Sequence, residues 1–220
     1  MKLDRVQTVL VDYDLDQYPL PELVREQLGV EQLDSIHESA DYPLLTREND
    51  QKTVFHERFY SIGDEFFRVY HRLLADVVQP LFGENLIYQR VPTFRVHLPN
   101  NVAVGEVHRD RDYSHGQGEV NLWLPFTPAF ETNTIWIESS EGSDDLRPYP
   151  CNVGQMLMFD GVNLLHGNVK NETGKTRVSV DFRVIPASRY VARQAQTINT
   201  KLDFSVGGYF ADLAEAGGTR

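Results

Sequence analysis

The chain has 220 residues, 41% hydrophobic and 11% aromatic, with a formal net charge of −11 and one cysteine, Cys151. That size and composition suit a single domain with a sizeable core and exclude a disordered chain. The negative balance disfavours nucleic acid, the lone cysteine excludes an internal disulfide, and no run reaches the ~20 apolar residues of a membrane-spanning helix. The start, MKLDRVQTVLVDYDLDQYP, lacks the apolar core of a signal peptide. A soluble cytoplasmic protein is therefore expected, with neither nucleic acid nor membrane as partner.

In chain order, VQTVLVDY (6–13) reads as an opening strand and PELVREQLGVEQLDSI (21–36) as one or two short helices. A longer helix, IGDEFFRVYHRLLADVVQ (62–79), is predicted from apolar residues at 3.6-type spacing, capped by Ser61 and ended by Pro80. From residue 86 the period changes to 2. The runs LIYQRV, TFRVHL, VAVGEVH, EVNLWLPF, TIWIES, QMLMFDG, LLHGNV and KTRVSVDFRVI follow one another, separated by turn-rich PNN, SHGQG, SSEGSDD and KNETG. Many short strands with such turns predict a β-sandwich or barrel with flanking helices. Its parts would be a helical cover over about 14–85, a β core over about 86–186 and a C-terminal extension over about 187–220, whose last residues, AEAGGTR, are expected to fray.

Alternation sorts the strand faces. Val178, Val180, Phe182 and Val184 share one side of their run, and Arg177, Ser179, Asp181 and Arg183 the other; Val120, Leu122 and Leu124 oppose Asn121 and Trp123; Phe94 and Val96 oppose Arg95 and His97. In a half-exposed sheet the polar sides meet water. With helices available to cover the apolar sides, the polar sides would instead line an interior for a small charged ligand.

His108-x-Asp110 fits such an interior, because i, i+2 spacing in an extended segment puts imidazole and carboxylate on one side. His166 can supply a third metal ligand from another strand, and two histidines with one carboxylate form the set used for non-haem Fe(II). Arg177 follows His166 by eleven positions, and Arg177-Val178-Ser179 places a guanidinium fork and a hydroxyl on one face, which suits the distal carboxylate of a 2-oxo dicarboxylic acid.

Together, His108-x-Asp110, His166 and Arg177-x-Ser179 resemble the pattern of Fe(II)/2-oxoglutarate-dependent oxygenases, whose fold is a double-stranded β-helix (a cupin-like jelly roll). NLWLPFT (121–127), QMLMFDGVNLLHGN (155–168) and NETGKTRVSVDFRV (171–184) are similar to the phytanoyl-CoA dioxygenase-like branch, and nearer to small oxygenases of antibiotic biosynthesis of the streptomycin-cluster type. The likeness covers about residues 86–186. It implies that His108, Asp110 and His166 bind Fe(II), that Arg177 and Ser179 hold 2-oxoglutarate, and that O2 is the oxidant. An intact Asp110 implies hydroxylation, desaturation, epimerisation or ring closure, since halogenases of the family carry Gly or Ala there. IESSEGSDDLRPY (137–149) departs from the glycine-rich stretch usual in the phytanoyl branch, which implies a different substrate wall.

Further assignments rest on position alone. Asn121 is expected to face inward to the cofactor or a metal-bound water, Arg95 to meet 2-oxoglutarate or an acidic substrate, and Trp123 to form barrel wall or substrate contact. Asp112 would line the mouth if the strand continues, with Arg109 and Arg111 at the rim and His115 in a loop over the site. With Glu106, Asp112 would favour an amine-bearing substrate such as an amino acid or aminosugar. Three rivals share these features: a cupin-type sugar epimerase or isomerase, a metal-dependent hydrolase such as a zinc enzyme, and a non-catalytic β-barrel binding module.

Overall fold

The computed structural model of the chain describes residues 7–38, 46, 49, 51–102, 106–193, 195–196 and 201–216. Ten strands form two antiparallel sheets. The larger comprises β1 (Val9–Asp12), β7 (Gln155–Phe159), β4 (Val120–Pro125), β9 (Arg177–Pro186), β2 (Leu86–Gln89) and β10 (Phe210–Asp212) in that order, with β3 (Thr93–His97) also paired to β9. The smaller is β6 (Arg147–Tyr149), β5 (Ile135–Ile137) and β8 (His166–Gly167). Together they make the double-stranded β-helix, with helices over one face of the larger sheet.

Alternation explains both faces of that sheet. Val120, Leu122 and Leu124 of β4, Val178, Val180, Phe182 and Val184 of β9, and Phe94 and Val96 of β3 join one buried cluster with the helices α1 (Leu20–Leu28), α2 (Val54–Tyr60) and α3 (Asp64–Leu73). Phe59 of α2 stacks on Phe94 at 4.4 Å, and Tyr70 of α3 meets Phe182 edge-on at 5.1 Å. Each such side chain contributes about 1.5–3 kcal/mol by leaving water. On the opposite face, Trp123, Leu157 and Phe159 pack on Ile135, Ile137 and Leu164 of the smaller-sheet side, closing the barrel. The interior is thus not polar throughout. It has a dry seam beside β5 and β8, and its charged groups gather along β9 and β3.

The helix expected over 62–79 differs in detail. Ser61 ends α2, and α3 starts after Gly63. Pro80 does not end the run. It stands in the first turn of α4 (Gln79–Phe82), after the backbone widens to a five-residue turn over Leu74–Val78. Proline has no N–H to return to Asp76, and the wide turn absorbs that missing bond. Of the run VAVGEVH, Val102 and His108 make single bridges to Lys170 and His166, and residues 103–105 lie outside the described residues. The larger sheet also extends past 86–186 at both ends, since β1 and β10 belong to it. Phe204 and Phe210 of the C-terminal extension pack on Ile87 and Ile185, which is why that segment docks. Of the end expected to fray, AEAGGTR, residues 214–216 instead belong to a short helix, Leu213–Ala216, while 217–220 lie outside the described residues. Among the described residues no helix is long and apolar enough to cross a membrane.

Candidate metal centre and buried arginine

His108 and His166 face each other across a two-way backbone bridge, each N–H donating to the other's carbonyl at 3.0 Å. Arg109 is extended (φ −108°, ψ 139°), so His108 and Asp110 project to the same side, as their spacing predicts. The chain then turns at once into a short 3-10 segment, Asp110–Tyr113. Asp110 Oδ1 lies 3.3 Å from His108 Nε2 and 3.6 Å from His166 Nε2. Two donors at right angles about a metal at ~2.1 Å stand about 3.0 Å apart, so these separations are near those of adjacent corners of one metal. The three residues are the one group of this kind among the described residues, with ligand atoms within 4.8 Å of one another.

Both rings are fixed in the tautomer a metal requires. His108 Nδ1 donates to the Glu106 carbonyl at 2.6 Å and His166 Nδ1 to the Leu164 carbonyl at 3.0 Å, so each Nε2 keeps its lone pair. Asp110 is 1% exposed. Burial alone would raise its pKa, but the charge of Arg183 beside it holds the carboxyl well below the usual carboxylate range. Its other oxygen, Oδ2, accepts from Arg183 Nε at 2.9 Å, Arg183 Nη2 at 2.8 Å and Asn121 Nδ2 at 2.8 Å. Asn121 therefore donates to Asp110 itself. Its own Oδ1 is buried without a hydrogen-bond partner.

Arg177 is 2% exposed and, among the described residues, touches no carboxylate. Its Nε donates to the Asn133 carbonyl at 3.1 Å, Nη1 to Ser179 Oγ at 2.8 Å, and Nη2 to Asn168 Oδ1 at 2.6 Å and His97 Nδ1 at 3.3 Å. The guanidinium lies over Trp123, 5.3 Å from the ring centre. Burial and the like charge of Arg95 push its pKa down to about 9. His97 is neutral, since burial and Arg177 push its pKa to about 3. Its Nε2 donates to the Asn101 carbonyl at 2.9 Å, leaving Nδ1 as acceptor. Asn168 stands two residues along from His166, which links the arginine to the metal-ligand cluster. A buried cation ringed by neutral acceptors suits an arriving carboxylate.

Other side chains lie elsewhere than expected. The strand does not continue to Asp112; its carboxylate turns back to accept the Arg109 N–H at 3.2 Å. Arg95 is engaged by Asp181 at 2.9 Å, because β3 and β9 are paired and both residues face inward. His115 bonds Glu119 at 2.6 Å and packs on Phe204 of the C-terminal extension, 4.7 Å between ring centres, so its loop is anchored. Arg109 and Arg111, expected at the rim, and Arg147 have acidic partners: Arg109 with buried Glu138 at 3.0 Å, Arg111 with Glu141 at 2.6 Å, and Arg147 with Asp145 at 2.5 Å. Trp123 is buried wall beneath Arg177. Sequence reasoning did not identify the parts played by Arg183, His97, Asn168 and Gly161. The first two sit on the inward faces that alternation defines. Gly161 had no signal, since its role comes from close approach: a Cβ there would lie 2.5 Å from Asn121 Nδ2.

No family model matches the chain. It is 44% identical over 202 residues to the streptomycin biosynthesis protein StrG of Streptomyces griseus, a match covering 90% of this chain and 94% of that protein. Solved structures share the fold at low identity. EctD from S. alaskensis, determined with 2-oxoglutarate and 5-hydroxyectoine, has a TM-score of 0.57 at 15% identity over 86% of this chain and 75% of that one. The non-heme alpha-ketoglutarate-dependent carbocyclase SnoK of nogalamycin biosynthesis has 0.54 at 10%, over 83% and 80%. CytC3 with Fe(II) and alpha-ketoglutarate has 0.52 at 13%, over 97% and 92%. On the strength of the match along nearly the whole of both sequences, this chain belongs to the family of the streptomycin biosynthesis protein StrG.

Proposed function

We propose that this protein is a non-haem Fe(II)- and 2-oxoglutarate-dependent oxygenase that oxidises a C–H bond of a small, amine-bearing molecule of the amino-acid or aminosugar type. The observation that carries this is Arg177, a wholly buried guanidinium with only neutral partners, tied through Asn168 to the strand of a His108–Asp110–His166 cluster. A sugar epimerase or a hydrolase on the same barrel has no need for that cation, and a binding module has no need for three converging ligand atoms.

The residues fit both groups. Two imidazoles presenting Nε2 and one carboxylate oxygen match the preference of Fe(II) for mixed nitrogen and oxygen donors. Arg177 and Ser179 would hold the distal carboxylate of 2-oxoglutarate by charge-assisted hydrogen bonds, with Trp123 and His97 fixing the fork from either side. When bound, Fe(II) with 2-oxoglutarate and O2 supplies the oxidising equivalents, 2-oxoglutarate leaving as succinate and carbon dioxide. The protein orients these groups and keeps water from them; the dry seam of Trp123, Leu157 and Phe159 does the latter. An intact carboxylate at 110 supports hydroxylation, desaturation, epimerisation or ring closure as the outcome.

For the substrate, the pairing of Arg109, Arg111 and Arg147 with acids leaves no unmatched cation among those three for the phosphates of an acyl-CoA. The overall charge of −11 favours an amine over an anion. A relative in streptomycin biosynthesis agrees with this class. The test is succinate formation from 2-oxoglutarate with Fe(II) and ascorbate. A purified protein that binds Fe(II) but neither binds nor turns over 2-oxoglutarate would rule the oxygenase out.

A further inference from the structure

We propose that Arg183 and Asn121 are positioning residues that hold Asp110 to ligation through one oxygen, and so keep an adjoining coordination position open for 2-oxoglutarate. The proposal deepens the oxygenase assignment and rests on it.

The two oxygens of Asp110 have separate partners. Oδ1 faces the two Nε2 atoms, at 3.3 and 3.6 Å. Oδ2 accepts three donors within 2.9 Å, two from the Arg183 fork and one from Asn121. A carboxylate oxygen has two in-plane lone pairs, so three N–H donors fill it. For Asp110 to rotate and bring both oxygens to a metal, its buried carboxylate would have to give up two hydrogen bonds from Arg183 and one from the Asn121 amide. Carboxylates bind metals with one or two oxygens according to what else holds them, and here the second oxygen is occupied before a metal arrives.

The clamp is itself held. Arg183 Nη1 reaches Tyr209 Oη at 3.2 Å and Gln89 Oε1 at 3.5 Å, while Asp181 Oδ2 stands 3.6 Å away. These partners lie on β2, on β9 and in the C-terminal extension, so the fork is fixed from three sides. Asn121 is hydrogen-bonded to Asp110 while Gly161 lies against its amide; the Gly161 carbonyl also accepts the Asp110 N–H at 2.8 Å. Register places Asn121 directly opposite Arg183 in the β4–β9 pair, so both donors converge on one oxygen through sheet geometry.

This makes a prediction that a merely supporting role would not. Arg183 is a cation beside a site for a dication, and it repels the metal while orienting the ligand. Removing its charge should leave metal binding at least as tight, yet spoil the site for the co-substrate. The experiment uses full-length protein loaded with Co(II), whose visible absorption reports coordination, titrated without oxygen with 2-oxoglutarate. Wild type is compared with Arg183→Gln and Asn121→Ala. The expected result for Arg183→Gln is a Co(II) Kd equal to or below that of wild type, an altered Co(II) spectrum before any addition, and 2-oxoglutarate affinity reduced by about tenfold or more, as when a competing ligand oxygen must be displaced. Asn121→Ala should shift the spectrum and the 2-oxoglutarate Kd in the same direction by a smaller factor. Because it removes a single neutral hydrogen bond, it decides the matter if Arg183→Gln does not fold. The proposal is overturned if the variants keep the wild-type spectrum and 2-oxoglutarate affinity, or if Co(II) binding, 2-oxoglutarate binding and Tm all fall together. Failure of the wild-type Co(II) spectrum to respond to 2-oxoglutarate would instead remove the oxygenase assignment, and with it the clamp's purpose.

Discussion

Arg177→Lys isolates what the guanidinium fork contributes. The substitution keeps a positive charge in the pocket but replaces a planar group with a compact ammonium, which cannot meet both oxygens of a carboxylate side by side or lie flat over Trp123. Arg177 donates through three nitrogens to four neutral acceptors, so its plane is set before any ligand arrives. A lysine loses that preorganisation and at least one charge-assisted hydrogen bond to the ligand, worth about 1.5–3 kcal/mol. At about 1.4 kcal/mol per tenfold, the KM for 2-oxoglutarate should rise about 10- to 100-fold, with kcat changed far less, because the distal carboxylate is far from the reacting C–H bond. The assay is succinate formation against 2-oxoglutarate concentration, supported by anaerobic calorimetry. A KM within twofold of wild type would refute the assignment. The other inward cations would not explain such a result easily, since Arg95 already engages Asp181 and Arg183 engages Asp110.

Alanine at His108, Asp110 or His166 should weaken Co(II) or Mn(II) binding about 100-fold or more, while His115→Ala, which removes the Glu119 and Phe204 contacts but no ligand atom of the cluster, should leave metal content after dialysis unchanged; metal retained by Asp110→Ala would refute the ligand set. His97 has a folded pKa of about 3 against about 6.5 unfolded, so its contribution to stability is complete above pH 6.5 and is lost as pH falls towards 3. Between pH 6.5 and 4.5 that one proton amounts to about 2 kcal/mol, and urea unfolding of His97→Gln should show a correspondingly shallower loss; equal slopes would refute it. In a panel of amino acids, aminosugars, peptides and acyl-CoAs, amines should stimulate succinate release, and stimulation by an acyl-CoA alone would reverse the substrate class while leaving the oxygenase chemistry in place.

What could be read from the sequence was whatever depends on period and spacing. The change from period 3.6 to period 2 located the helices and the barrel, because burial of one face forces that alternation. The His108–Asp110 pair was legible because one extended residue, Arg109, separates them, and Arg177 and Ser179 because both point inward from β9. Illegible features came from encounters between distant segments. The Arg183–Asp110 and Arg95–Asp181 pairs join residues 73 and 86 positions apart. Choosing each partner among the chain's 32 acidic residues requires the sheet register. The docking of 201–216 was equally hidden, since Phe204 and Phe210 lie in a polar, glycine-containing stretch without period and are buried only because Ile87 and Ile185 leave an apolar edge.

The same pairings explain why so much charge stands beside a core-like strand in His108-Arg109-Asp110-Arg111-Asp112. Each of these arginines and acids has its own destination: Arg109 goes to Glu138, whose carboxylate also accepts the N–H of Leu165 beside His166, Arg111 to Glu141, Asp110 to Arg183, and Asp112 back to the Arg109 N–H. Within the barrel, Asp110 cancels Arg183 and Asp181 offsets Arg95, so Arg177 is the inward-facing charge on β9 that lacks an acidic partner among the described residues. A divalent metal on the two histidines and Asp110 would add two positive charges to that one. An interior of low polarizability holding this excess favours a small dianion over a neutral or monoanionic ligand, and favours it more once the metal is in place. Charge alone would therefore order the two groups: metal first, dicarboxylate second.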